Sequence, residues 1–217
     1  MAIKDTTQTR EAIIAACLWM NSSGINQGTS GNISVRTDTN RMLITPSGVP
    51  YEIMTPDMLV SMPLNATEAP REGMKPSSEW PFHLALLNLR QDMDVVVHAH
   101  PAHVTALAIC REAIPSCHYM IAAFGGGDVP LADYAIFGSQ KLADNLTKVM
   151  ADRHACIMSN HGGIVVGETL ERALWRLGEL EALARAYVLA KSFGEIKLLT
   201  PEEINEALAA FGNYGPR

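Results

Sequence analysis

The stretch 94–101, DVVVHAHP, constrains the fold of this chain more than any other. Three consecutive valines predict a buried strand, closed by two histidines, His98 and His100, spaced two apart. Side chains alternate along a strand with period two, so both imidazoles project to one side at its open end. Strand ends of α/β proteins open onto clefts, and two imidazoles there can hold one metal ion. Taken alone, a His-x-His pair also suits solvated or hydrogen-bonded histidines, so the rest of the chain has to weigh in.

With 217 residues, 47% of them hydrophobic, the chain can bury a substantial core, and it is read as a single domain, 1–217. Net charge is −6, from 17 basic and 23 acidic residues with no basic run, which removes the electrostatic footprint of a nucleic-acid binder. A phosphorylated small molecule remains compatible, because local donors can hold one against a mildly acidic background. Cys17, Cys110, Cys117 and Cys156 form no CxxC pair, so free thiols in a reducing cytoplasm are expected. No apolar run approaches the length of a membrane span.

Residues 7–23 carry Ile13, Ala16, Cys17 and Met20 at helical spacing. The loop 26–32, NQGTSGN, follows; its two glycines let backbone N–H groups approach an anion, and an ordinary turn has the same composition. Strands at 33–36 and 41–45 flank the turn 38–40 as a hairpin. Next come the rigid turn 46–50 with Ser47 at its centre, a helix start at Thr55 and Asp57, and a strand at 60–64. A helix opens at 76–80, PSSEW, and runs to about 90 with Phe82, Ala85, Leu86 and Leu89 inward. Ser77 or Ser78 can cap it, with Glu79 in the first turn. Good capping would explain all three, while the same geometry presents hydroxyls and N–H groups to an anion with a carboxylate alongside.

Further helices are expected at 102–110, 139–150, 169–191 and from 201 onward. An apolar stretch after His118 is broken by the glycines 125–127, and 133–138 is loop. A second buried strand, 155–158, ends in SNHGG before a third at 164–166, placing His161 at another strand end. That fits one site assembled across neighbouring strands. His83, His103, His118 and His154 lack metal-like partners and are expected in structural or solvated roles.

Together the segments 26–36 (NQGTSGNISVR), 44–52 (ITPSGVPYE), 76–80 (PSSEW), 97–100 (VHAH), 118–123 (HYMIAA) and 160–162 (NHG) resemble the zinc-dependent class II aldolases. The resemblance runs from the first helix to the tail. It implies an α/β fold of the class II aldolase and adducin type, three layers with a central, mostly antiparallel sheet flanked by helices, assembled as a homotetramer with sites between subunits. It further implies zinc held by His98, His100 and His161 with Glu79 as fourth ligand, and Glu79 as the base that moves a carbon-bound proton. Asn32, Ser47, Gly48, Ser77 and Ser78 match the family's phosphate positions, with Thr29 beside them. Tyr119 matches a tyrosine that reaches in from a neighbouring subunit to protonate the aldehyde oxygen, and Tyr214 and Arg217 match tail residues that close over the aldehyde end. The implied reaction is reversible cleavage of a ketose 1-phosphate, L-fuculose 1-phosphate foremost, into dihydroxyacetone phosphate and an aldehyde, L-lactaldehyde.

Alternatives within the fold are a ribulose-phosphate 4-epimerase, a sugar-acid phosphate decarboxylase and a methylthioribulose-phosphate dehydratase. The epimerase pattern has Asp at the position of Glu79 and lacks the HYMIAA run, which favours cleavage. An adducin-like interaction module is the non-enzymatic alternative; such relatives lack the histidine set. A hydrolase of the amidohydrolase type needs a longer barrel than this chain supplies.

Overall fold

In the computed structural model, which describes residues 3–211, the valine-rich stretch forms the middle strand of a seven-stranded sheet. The strands are β1 (Asn32–Thr37), β2 (Arg41–Ile44), β3 (Val60–Pro63), β4 (Val95–Ala99), β5 (Leu131–Ala132), β6 (Ala155–Met158) and β7 (Gly162–Gly167), in the order β3-β2-β1-β4-β7-β6-β5. All pairs are antiparallel except β5 with β6. The mostly antiparallel α/β sheet is the one expected.

Every residue of β4 is buried, because both faces of the sheet are covered. Val95, Val97 and Ala99 face a layer built from α1 (Thr7–Ser22), α3 (Ala102–Cys110), α5 (Leu170–Phe193) and α6 (Pro201–Phe211). Val96 points the other way, toward α2 (Trp80–Leu89) and α4 (Gln140–Val149), and His98 shares that side, its ring edge-on to Phe82. Each buried valine contributes roughly 1.5–3 kcal/mol. A slip of one residue would exchange the two faces, so the register that carries His98 is strongly specified.

Helix starts follow local chemistry. Thr6, Ser139 and Thr169 each accept a hydrogen bond from the backbone N–H three residues on and so cap α1, α4 and α5. Arg111 closes α3 in the left-handed region at φ 53°. The helix start expected at Thr55 and Asp57 is a single 3-10 turn, Pro56–Met58; the Thr55 hydroxyl donates to Asp57 Oδ1 at 2.6 Å and makes no capping bond to the backbone. In α2, Phe82 and Leu86 are buried as expected, but Leu89 is 41% exposed and His83, Leu84 and Leu87 are buried instead. α2 packs against both β4 of the sheet and its neighbour α4, which widens its buried arc beyond one stripe. The apolar stretch after His118 is a 3-10 helix, Tyr119–Phe124, packed against α6. All four cysteines are free, and no helix among the described residues is long and apolar enough to cross a membrane.

Candidate active site

The ladder between β4 and β7 pairs His98 with Ile164 and Ala99 with Gly163. The end of β4 therefore lies beside the turn that opens β7, where His161 sits; His100 follows β4 directly. Ring centroids of the three imidazoles are 4.8, 4.8 and 5.1 Å apart, and one ring nitrogen from each lies within 4.8 Å of the others. Nδ1 of His98 is 2.9 Å from the Gly163 carbonyl and must donate to it, which leaves a lone pair on Nε2, turned into the cluster. Burial pushes His98 down to about 3 and His161 to about 4, and lowers His100 as well. Neutral imidazole is the form that ligates a cation.

Glu79 faces this cluster. Its Oε2 is 3.4 Å from His98 Nε2 and accepts from Asn32 Nδ2 at 2.9 Å, while Oε1 is 3.2 Å from His161 Nε2. Oε1 is buried yet accepts no hydrogen bond. Burial raises the Glu79 carboxyl above its usual range, opposed by the Asn32 amide and by His161 and His100. An orphaned carboxylate oxygen beside three converging imidazoles is a donor set of three nitrogens and one oxygen that fits a divalent cation.

The helix cap expected of Ser77 or Ser78 is not formed. α2 begins at Trp80, Glu79 occupies the cap position, and no side chain caps it. A cap side chain bonds the second or third N–H of a helix, and the second residue here is Pro81, which has none. Ser77 Oγ instead accepts from the Glu79 N–H at 3.3 Å, and the carboxylate turns toward the histidines.

Beside the imidazoles opens a cavity of about 340 Å³. Thr29 and Asn32 enter its wall from one loop, Ser47 and Gly48 from a second, and Ser77 and Ser78 from a third, with Glu79, His100 and His161 alongside. The two stretches marked from sequence as open to an anion and the rigid turn centred on Ser47 thus meet in one place. Phe137, on the loop 133–138, also lines the cavity and was missed, because an exposed aromatic in an aperiodic loop carries no pattern. Gly138 lets that loop close in: its φ is +71°, and a Cβ there would meet the Ser78 carbonyl oxygen at 2.6 Å.

Tyr119 does not line the cavity; it is 52% exposed, its ring near those of His118 and Phe211. Tyr214 and Arg217 lie outside the described residues. The other histidines stay apart from the cluster. His83 is bonded to Ser34 and Asn32, His103 pairs with Glu181 at 2.6 Å, His118 accepts from the Met120 N–H, and His154 faces the Ala123 carbonyl.

Two outcomes follow from this packing. A Cβ on Gly162 would meet His100 Cδ2 at 2.5 Å and the Ala99 carbonyl oxygen at 2.6 Å. Gly162→Ala is therefore expected to displace His100 and weaken cation binding roughly 10–100-fold, as disturbed ligand supports do; titration against a chromogenic chelator checks it, and unchanged affinity contradicts it. His98 and His154 are held neutral chiefly by burial, at about 3 and about 4. From about pH 6.5 down to about 4 the unfolded chain binds more protons than the folded one, so stability drops as pH falls. Melting of the metal-free protein near pH 7.5 and near pH 5 is expected to give the lower Tm at the acid end, and an equal or higher one there contradicts it.

A mixed seven-stranded sheet, three imidazoles converging at the end of its middle strand and a cavity with hydroxyl and amide groups in its wall are the layout of an α/β enzyme whose site fits a divalent cation. Residues 11–188 match the family described as Class II Aldolase and Adducin N-terminal domain, and the chain belongs to it as a class II aldolase. The L-fuculose phosphate aldolase of Escherichia coli is 43% identical over 206 residues, covering 94% of each chain. A 5-methylthioribulose-1-phosphate/5-deoxyribulose-1-phosphate aldolase from another Escherichia coli strain is 42% identical over 206 residues, covering 94% of this chain and 95% of its own. Among solved structures, an L-fuculose 1-phosphate aldolase superposes with a TM-score of 0.90 at 35% identity, over 95% of this chain and 97% of that one.

Proposed function

We propose that this aldolase reversibly cleaves L-fuculose 1-phosphate into dihydroxyacetone phosphate and L-lactaldehyde. The observation that carries the reading is the shared cavity: in a ketose 1-phosphate the phosphate sits one carbon from the ketone, so phosphate donors and a Lewis acid must lie side by side. Ser47, Gly48, Ser77 and Ser78, with Thr29 and Asn32, line the same cavity as His100, His161 and Glu79. In this reading the first group holds the phosphate.

The cation in this reading is zinc, which His98, His100 and His161 would hold with Glu79 as fourth ligand; the three neutral imidazoles would leave its charge uncancelled, and only the carboxylate would offset part of it. When bound it supplies a Lewis acid for the ketone oxygen and the charge that develops on the triose half. In the direction of synthesis, the Glu79 carboxylate takes a proton from the carbon next to the ketone. The Tyr119 phenol, reaching in from a neighbouring copy of a homotetramer, gives its proton to the aldehyde oxygen as the carbon–carbon bond forms. Cleavage returns both protons. Tyr214 and Arg217 close over the aldehyde end, and the enzyme works in the cytoplasm.

A second substrate reading is favoured by the relative at 42% identity, whose name gives 5-methylthioribulose 1-phosphate and 5-deoxyribulose 1-phosphate as its substrates. These share the dihydroxyacetone phosphate half and differ in the aldehyde. A panel of the three ketose 1-phosphates with zinc supplied, reading released triose phosphate through a coupled dehydrogenase, ranks them by kcat/KM. L-fuculose 1-phosphate is expected to rank first. Triose phosphate from none of them overturns the whole proposal.

A further inference from the structure

Beneath the site, a chain of hydrogen bonds runs from the sheet to Glu79, starting at two groups outside the cavity, Ser34 and His83, and passing through Asn32 in its wall. Ser34 Oγ on β1 is 2.7 Å from His83 Nδ1, His83 Nε2 is 2.5 Å from Asn32 Oδ1, and Asn32 Nδ2 is 2.9 Å from Glu79 Oε2. Ser34 and His83 are wholly buried, and Asn32 and Glu79 are 5% exposed. A buried polar chain of this kind is retained only when each member is satisfied.

The direction of every bond follows from its last acceptor. An ionised carboxylate can only accept, so the Asn32 amide must turn its nitrogen to Glu79 and its oxygen to His83. His83 must then carry its proton on Nε2, and its Nδ1 accepts from the Ser34 hydroxyl. Burial holds His83 in the neutral form that this pattern needs. The Asn32 amide is also tethered to the Ser30 carbonyl, 3.4 Å from Nδ2.

We propose that His83 is a positioning residue for the aldol reaction: through Asn32 it holds the Glu79 carboxylate against the three metal-site histidines, in reach of the reacting carbon. The proposal rests on the reading of Glu79 as the proton-transferring group. Without the His83 N–H the Asn32 oxygen loses its donor, the amide is held less firmly toward Glu79, and the carboxylate is less well fixed where proton transfer needs it. Asn32 also lines the phosphate end of the cavity, but Ser47, Gly48, Ser77 and Ser78 remain there, so the larger part of the defect falls on turnover.

Two measurements on the zinc-loaded full chain test this. Long-range ¹H–¹⁵N spectra of histidine-labelled protein are expected to show His83 as the neutral Nε2–H tautomer at about neutral pH; the Nδ1–H tautomer reverses the chain of donors and overturns the proposal. His83→Leu is expected to lower kcat roughly 10–100-fold with a smaller rise in KM. A folded His83→Leu enzyme with wild-type kcat, or with its loss confined to KM, also overturns it. If that variant does not fold, Ser34→Ala takes its place: it removes only the far hydroxyl and is expected to lower kcat in the same selective way, and an unchanged kcat counts against the chain. Glu79→Gln run alongside separates the two claims. Near-normal turnover in that variant ends the base assignment, whereas its loss beside an unimpaired His83→Leu ends the positioning role alone.

Discussion

Replacing Glu79 with Gln is expected to lower kcat by roughly 10²–10⁴-fold, the span that a positioned proton-transfer group supplies. The substitution keeps the volume of a side chain that is only 5% exposed, and its amide oxygen can still accept from Asn32. What it removes is the ability to take and return a proton. It also relieves a buried charge whose Oε1 has no hydrogen-bond donor, so the variant's Tm is expected to equal or exceed that of the parent. The measurement is kcat at saturating zinc and substrate, with Tm and cation content determined on the same preparation. Cleavage near the parent rate with zinc bound would remove Glu79 from the mechanism.

Stripping the cation is expected to cost still more: roughly 10³-fold or beyond in turnover, the equivalent of several kcal/mol of transition-state stabilisation. His98, His100 and His161 provide no other electrophile once they are neutral, and burial keeps them so. Dialysis against a chelator followed by zinc titration should abolish and then restore cleavage, and His161→Ala should blunt the restoration. The added cation should also raise Tm, because a ligand at about 100 times its Kd stabilises the folded state by about 2.7 kcal/mol. Full activity after chelation, confirmed by metal analysis, would sink the metal-assisted reading of the site.

Much of this architecture was legible in the residues, for physical reasons that differ from element to element. The run of valines before His98 could be read as a buried strand because continuous burial leaves an unbroken apolar sequence, and β4 is buried throughout. His161 could be paired with His98 and His100 because it too closes a strand, and the register of β4 with β7 then does the rest. The loops around Asn32, Ser47 and Ser77 stood out by small and hydroxyl residues. Glu79 was noticed but put inside the helix, whereas it occupies the cap position before Trp80; Pro81 removes one of the two N–H groups a cap would bond, and the Phe82 N–H goes to the Glu79 carbonyl.

Other features left no local trace. β5 is two residues long, too short for any period, and is defined by its parallel partner β6. Phe137 reaches the cavity only because Gly138 packs against the Ser78 backbone, a long-range contact. His83 looked like an ordinary helical residue; its importance comes from the strand beneath it, where Ser34 and Asn32 both project toward α2.

The three imidazoles ride on the central ladder and the turn that joins β6 to β7, whereas the cavity wall opposite them is drawn from connecting segments around Thr29, Ser47 and Phe137. The cation-holding groups and much of the cavity wall are therefore mounted on different parts of the fold. Replacing the connecting segment 133–138, which brings Phe137 to the cavity, should change the shape of that wall while the imidazole cluster on the ladder keeps its own, so one can be altered without rebuilding the other.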